Sequence, residues 1–151
     1  MLKLRYLFDN RDLAVMLLQN WEYDKSSLSL MDQFRISSNA IYPFKQNGQV
    51  CLLRFSPEEE KKKKFIQAEL EFMGFLRQEG YVAAPVVQSK SGCNSICQNT
   101  PWGNYNACVF RRVKGKRLDG IELTDDILFK YGKALGFLHV HSQKYHPEGV
   151  S

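Results

Sequence analysis

The dipeptide Asn47-Gly48 constrains this chain more than any other feature, because it lies between two β-prone runs, RISSNAIYPF (35–44) and QVCLLRF (49–55). A two-residue type I′ turn needs positive φ at both central positions, which Asn and Gly accept at little cost. A hairpin from Gln33 to Phe55 is therefore predicted. Pro57 follows, well placed to open a helix.

The next segment carries helical spacing. Phe65, Ile66, Leu70, Met73 and Leu76 recur at three- and four-residue steps and define one buried stripe. Glu69 points the same way, whereas Glu71 falls with Lys64, Gln67 and Gln78 on the wet side. A carboxylate directed into an apolar face requires a cation, since burying it unpaired is costly. The nearest basic residue on a strand under this helix is Arg54, so an Arg54–Glu69 ion pair is predicted. The run EEEKKKK at 58–64 sets Glu four residues before Lys three times over, the spacing of a solvated helix face rather than of a nucleic-acid patch.

The flanks read more simply. Asp9 or Asn10 is placed to cap a short helix with Leu13, Leu17 and Leu18 on one face, and the polar residues 22–31 suggest a loop. Gly80 ends the central helix. Pro85 precedes a short strand, VVQS; Ser91-Gly92 marks a turn, and CNSICQ a returning strand. Thr100 to Asn106 has turn chemistry throughout, and Ala107 to Val113 reads as a buried strand. Five cations among the seven residues from Arg111 to Arg117 suggest a solvated connector. From Thr124 the period is helical again, with Ile127, Tyr131, Ala134, Leu135 and Leu138 as a stripe and Gly132 and Gly136 as points of close packing. The expected class is α+β: about five antiparallel strands with one packed helix, followed by an amphipathic C-terminal helix.

At 151 residues and 44% hydrophobic content, one domain's worth of core is available. The net charge of +5 suits an anionic ligand, but no nucleic-acid-binding motif accompanies it, and no nucleic acid is expected as a partner. Cys51, Cys93, Cys97 and Cys108 lack zinc-site spacing and read as reduced thiols of a cytoplasmic protein. No run approaches the ~20 apolar residues of a membrane span, and the N-terminus has no signal-like apolar region.

Six segments, SSNAIYPF, LLRF, QAELEFMGFL, GYVAAPVVQSKSG, ACVFRRVKG and YGKALGFLHVHS, run in order over roughly residues 33–145. Together they resemble the aminoglycoside phosphotransferase and choline kinase-like family, and within it the homoserine kinase-like and stress-response kinase-like branches. The resemblance implies the N-terminal lobe of a protein-kinase-like fold over 32–113. A helix and loop (1–31) would precede that lobe, a connector (114–123) would follow it, and 124–151 would hold the first helix of a C-terminal lobe. It also implies ATP as cofactor. Ser37, Ser38 and Asn39 then stand where protein kinases carry a glycine-rich phosphate loop. Arg54 stands in the place of the phosphate-binding lysine, with Glu69 as its partner. Leu52 would touch the purine, and Phe110, Arg111, Arg112 and Val113 would form the hinge.

The family's H-x-D-x-x-x-x-N catalytic loop and its D-F-G-like metal site do not occur in the sequence. His139-Val140-His141 matches a helix end instead. The expectation is thus a nucleotide-binding lobe without catalytic or metal residues of its own, inactive alone, with Mg²⁺ bound jointly with the missing lobe. The intact protein would phosphorylate a hydroxyl on an amino-alcohol, amino acid or aminoglycoside-like molecule. An alternative is a non-catalytic module that dimerises or binds a partner through helix 124–145, whose stripe would otherwise lie exposed.

Overall fold

The computed structural model describes residues 9–115 and 121–147. Helix α1 (Arg11–Leu18) and a 3-10 helix (Lys25–Gln33) precede strands β1 (Arg35–Ile36), β2 (Ala40–Gln46) and β3 (Gln49–Pro57). Helix α2 (Lys63–Gln78), strands β4 (Val86–Val87), β5 (Ile96–Thr100) and β6 (Gly103–Arg111), and helix α3 (Asp125–Ser142) follow. The six strands form one antiparallel sheet in the order β1-β2-β3-β6-β4, and β5 shares the second edge of β6 with β4.

The predicted hairpin is present but shorter at its start: its first strand begins at Ala40, because Gln33 belongs to the 3-10 helix and residues 37–39 turn between β1 and β2. Asn47 and Gly48 have φ of 51° and 75°, and Gln46 pairs with Gln49 across the turn. Two carboxylate oxygens of Asp24 accept the N–H groups of Asn47 (3.0 Å) and Gly48 (2.8 Å). Residues 22–31 are therefore not a plain loop. The 3-10 helix lies along the edge of β2 that the short β1 leaves uncovered, where Lys45 O accepts from Asp24 N and Lys45 N donates to Ser27 Oγ. Those bonds satisfy an otherwise open strand edge, and Ser27 and Met31 become buried.

One face of the sheet carries Tyr42, Phe44, Cys51, Leu53, Phe55 and Val109, packed against Leu13, Leu17, Leu18 and Trp21 from and just beyond α1. Trp21 Nε1 donates to Val87 O at 2.9 Å, which ties the N-terminal segment to β4. Neither Asp9 nor Asn10 caps α1 with its side chain. The Tyr42 hydroxyl instead donates to Asp9 Oδ1 and accepts from Asn10 N.

The opposite face carries α2, and here several expectations are corrected. Pro57 does not open the helix: it ends β3 opposite Tyr105, because β6 begins at Gly103 and not at Ala107, so it supplies a ladder partner that far along. The Thr100–Asn106 turn shrinks accordingly to Pro101-Trp102, and β6 ends at Arg111. Residues 58–60 form a turn, so the EEEKKKK run is not a helix face; only Lys63 and Lys64 of it are helical. Finally, Phe65 is largely exposed while Ile66, Leu70 and Leu76 are buried, because the helix starts only two residues before it.

Gly80 does end the helix, at φ 83°, with Tyr81 N donating to Leu76 O and Gly80 N to Arg77 O. That is the paired C-terminal pattern which requires a left-handed residue. Glu71 is not on a wet face. It accepts from the Tyr145 hydroxyl at 2.8 Å, and the Tyr145 ring lies 4.9 Å from Phe72 and 5.2 Å from Phe75.

Helix α3 docks onto α2 by its C-terminal end. His141, buried, shares a hydrogen bond with Glu79 Oε2 at 3.1 Å. Further back the helix is open to solvent, with Leu128, Phe129, Tyr131, Leu135, Phe137 and Val140 all exposed. Gly132 and Gly136 are not packing points, since nothing lies within 4 Å of a Cβ built at either. No helix among the described residues is long and apolar enough to cross a membrane.

Candidate functional site

Side chains directly opposed in an antiparallel ladder share a face. The register therefore assembles the α2 side of the sheet residue by residue: Ile41 beside Arg54, Pro43 beside Leu52, and Lys45 beside Val50 on β2 and β3. On the other side of β3, Cys108 stands beside Arg54 and Phe110 beside Leu52. Helix α2 covers the β6 part of this surface, where Ile66 and Leu70 pack on Cys108 and Phe110. The β2–β3 part is not closed over: Ile41, Pro43, Val50 and Leu52 are each only partly buried. The result is a flat apolar shelf beside the edge of α2.

Arg54 stands at that edge. Its Nη1 and Nη2 donate to Glu69 Oε1 and Oε2 at 2.6 and 2.9 Å, a bidentate pair as the sequence predicts. The guanidinium also lies 4.9 Å from the centroid of the Phe110 ring. Its side chain is only 16% exposed against 44% for Glu69, so the carboxylate faces water more than the sequence reading implies. Burial by itself pulls the Arg54 pKa down, but the Glu69 hydrogen bonds and the charges nearby more than reverse this, and the net shift is upward. Arg54 is thus a fixed cation with donors to spare, since a guanidinium has five.

The two ends of the shelf differ. Ser37, Ser38 and Asn39 form the turn between β1 and β2, with Ser37 N donating to Asn39 O and Asn39 Nδ2 to Ser38 Oγ. Because Ala40 pairs with Phe55 and Ile41 with Arg54, this polar turn lies at the Arg54 end of the hairpin. At the other end, past Val50, an open cavity of about 500 Å³ is bounded by Gln49, Val50 and the segment Arg111 to Gly115. Within it Arg111 N donates to Pro85 O and Arg112 N to Val50 O, so two of the hinge N–H groups foreseen for ligand recognition already have protein partners. Phe110 is buried under α2, and Val113 is half exposed at the cavity. Lys116 and Arg117, the last cations of the predicted connector, lie outside the described residues.

Ile41, Pro43 and Val50 escaped the sequence reading, although the two-residue turn fixes the register that pairs them with Arg54, Leu52 and Lys45. No group of three or more His, Cys, Asp and Glu side chains able to hold a metal ion exists among the described residues. The four cysteines are free thiols, Cys51 and Cys108 buried and the other two exposed.

No family model matches the chain, and no curated protein does. Solved structures do. The chain is similar to amicoumacin kinase hAmiN in complex with AMP-PNP, Ca²⁺ and Ami (TM-score 0.79, 15% identity, 95% of this chain and 43% of that one). It is also similar to the microcompartment-associated aminopropanol kinase (TM-score 0.73, 22% identity, 93% of this chain and 43% of that one). The chain spans less than half the length of either kinase. Its fold is that of a kinase N-terminal lobe.

Proposed function

We propose that this chain is the nucleotide-binding lobe of an ATP-dependent phosphotransferase that acts on a small-molecule hydroxyl. The observation that carries this reading is the bidentate Arg54–Glu69 pair at the edge of an open apolar shelf, within a fold shared with two small-molecule kinases. In such folds a cation held by a carboxylate from the packed helix positions the phosphates of the nucleotide. Here Arg54 keeps its orientation through Glu69, Phe110 and the neighbouring Cys108 thiol, and a guanidinium's further donors would meet phosphate oxygens. The purine would rest on Leu52 and Val50, with Ile41 and Pro43 beside them. The Ser37–Asn39 turn would approach the phosphates, and Val113 N–H and the neighbouring hinge carbonyls would read the base edge.

ATP supplies the transferable phosphoryl group; this lobe binds and orients it. No group of three or more His, Cys, Asp and Glu side chains able to hold a metal ion gathers among the described residues, and Mg²⁺ would be held together with the second lobe. The aspartate base and metal ligands of the resembled family are likewise missing from the sequence, and the chain alone is proposed to be inactive. The division at residues 32, 114 and 124, with α3 as the first helix of a catalytic lobe, belongs to the same proposal. Calorimetric titration of ATP·Mg²⁺ into the wild type and an Arg54→Ala variant tests it. Binding that the substitution abolishes supports the reading; no binding by a well-folded chain rejects it.

One observation favours a second reading, a non-catalytic module that associates through α3. Tyr131 and Leu135 are 58% and 42% exposed on a helix that is apolar on several sides, and such helices are ordinarily covered. Light scattering decides between a dimer and a monomer.

A further inference from the structure

We propose that Tyr145 is a positioning residue, which fixes α2 in the rotation that lets Glu69 grip Arg54. Helix α2 rests on the sheet through a narrow stripe, Ile66, Leu70 and Met73, set against Cys108 and Phe110. Three apolar side chains in one narrow stripe resist lifting better than rolling, because van der Waals contact has little directionality. Roll is what matters to Glu69, which projects from the flank of the helix to Arg54. A second set of contacts on the outer face of α2 removes that freedom.

Tyr145 provides it. Its ring lies 4.9 Å from Phe72 and 5.2 Å from Phe75, wedged between two residues three apart on one face. Its hydroxyl donates to Glu71 Oε1 at 2.8 Å, which sets the direction of the wedge. One turn further on, Glu79 meets His141 Nδ1 at 3.1 Å and Lys144 Nζ at 3.6 Å, closing the same seam. Phe72 is three residues from Glu69, so the two are neighbours on the helix surface. Contacts on Phe72 therefore reach the ion pair through a single turn of backbone. The consequence for ligand binding rests on the nucleotide reading above; the mechanical link does not.

The test reads Arg54 directly. A guanidinium held by two hydrogen bonds rotates slowly about its Cζ–N bonds and gives separate Nη–H signals in NMR spectra, whereas a loose one gives averaged signals. Separate signals are expected in the wild type and in Tyr145→Phe, which keeps the wedge, and averaged ones in Tyr145→Leu with backbone amide dispersion retained. Separate signals persisting in Tyr145→Leu, or averaged ones in the wild type, overturn the proposal. Should Tyr145→Leu lose amide dispersion, the same criterion is read on Glu79→Lys, which repels Lys144 and opens the far end of the seam.

ATP titration then separates the two claims, with an affinity loss of roughly tenfold expected for Tyr145→Leu if the pair orients phosphate. Arg54 signals that respond in a chain that binds no ATP leave the clasp standing and remove the nucleotide reading. Equal ATP binding by both proteins with unchanged Arg54 signals does the reverse.

Discussion

Arg54 and Cys108 are direct ladder partners on β3 and β6, so a buried thiol lies beside the guanidinium that Glu69 holds. Burial pushes the Cys108 thiol up from its ordinary value, and the adjacent Arg54 charge only partly counters this. In the native chain Cys108 should therefore react with thiol reagents far more slowly than the exposed Cys93 and Cys97. Timed alkylation with mass spectrometry measures it. Rapid labelling of Cys108 under native conditions would show that the α2–sheet seam opens readily.

The ion pair should matter to stability only modestly, because Glu69 is nearly half exposed. Glu69→Gln keeps the shape and is expected to lower unfolding free energy by about 1 kcal/mol, measured by urea denaturation. On the nucleotide reading the same variant weakens ATP binding out of proportion to that small loss. Equal, small effects on both would reduce the pair to a surface contact.

Asp24 fastens the hairpin turn through two backbone N–H groups. Asp24→Ala should cost on the order of 1–2 kcal/mol, since both bonds are charge-assisted although the site is partly open to water. Asp24→Asn, which can accept only one of them well, should fall between. A null effect in urea melts would mean that Asn47-Gly48 sets the turn unaided.

Alkaline pH should destabilise the fold. Burial raises the Tyr42 phenol above its ordinary 10.0 and the Cys51 and Cys108 thiols above their ordinary 9.0. These groups stay protonated in the folded chain at pH values where the unfolded chain ionises. Their contribution is complete below about pH 9 and declines as pH rises through 9 and 10, by up to ~1.4 kcal/mol per unit for each group, until the folded values are reached. Urea midpoints from pH 7 to 11 follow this, and Tyr42→Phe should flatten the upper part of the curve.

Leu135→Asp tests what covers α3. If α3 self-associates, the variant should turn a scattering-defined dimer into a monomer at tens of micromolar concentration. An unchanged oligomeric state and solubility would mean that this face is not what holds copies together.

Much of this architecture was legible because its signals are local. Asn47-Gly48 set a register that runs without slip to Ala40–Phe55, and period-3.6 spacing put Glu69 where Arg54 could meet it. Gly80 and Pro85 punctuated the chain where expected. What escaped depended on distant partners. Pro57 is a strand residue only because Tyr105 lies opposite, and Glu71 leaves the wet face only because Tyr145 returns to it. The Ser-rich 3-10 helix offers only one apolar spacing, Leu28 with Met31, and the rest of its order comes from the β2 edge it covers. The ion pair and the polar turn could be placed from the sequence; that the N–H groups of Arg111 and Arg112 already have protein partners could not.

The sheet also carries a kinetic consequence. Strand β6 is hydrogen-bonded to β3, β4 and β5, and its pairing with β3 joins residues about fifty positions apart, as in Pro57 with Tyr105. Local hairpins close fast, whereas long loops pay their closure entropy before any contact rewards it. The β2–β3 and β5–β6 hairpins can therefore form early and alone, while the pairing of β3 and β4 with β6 waits on the arrival of residues 103–111. Folding of this lobe should proceed as one late, cooperative locking event centred on β6, and a substitution such as Val109→Ala should slow it more than a comparable cut in α1.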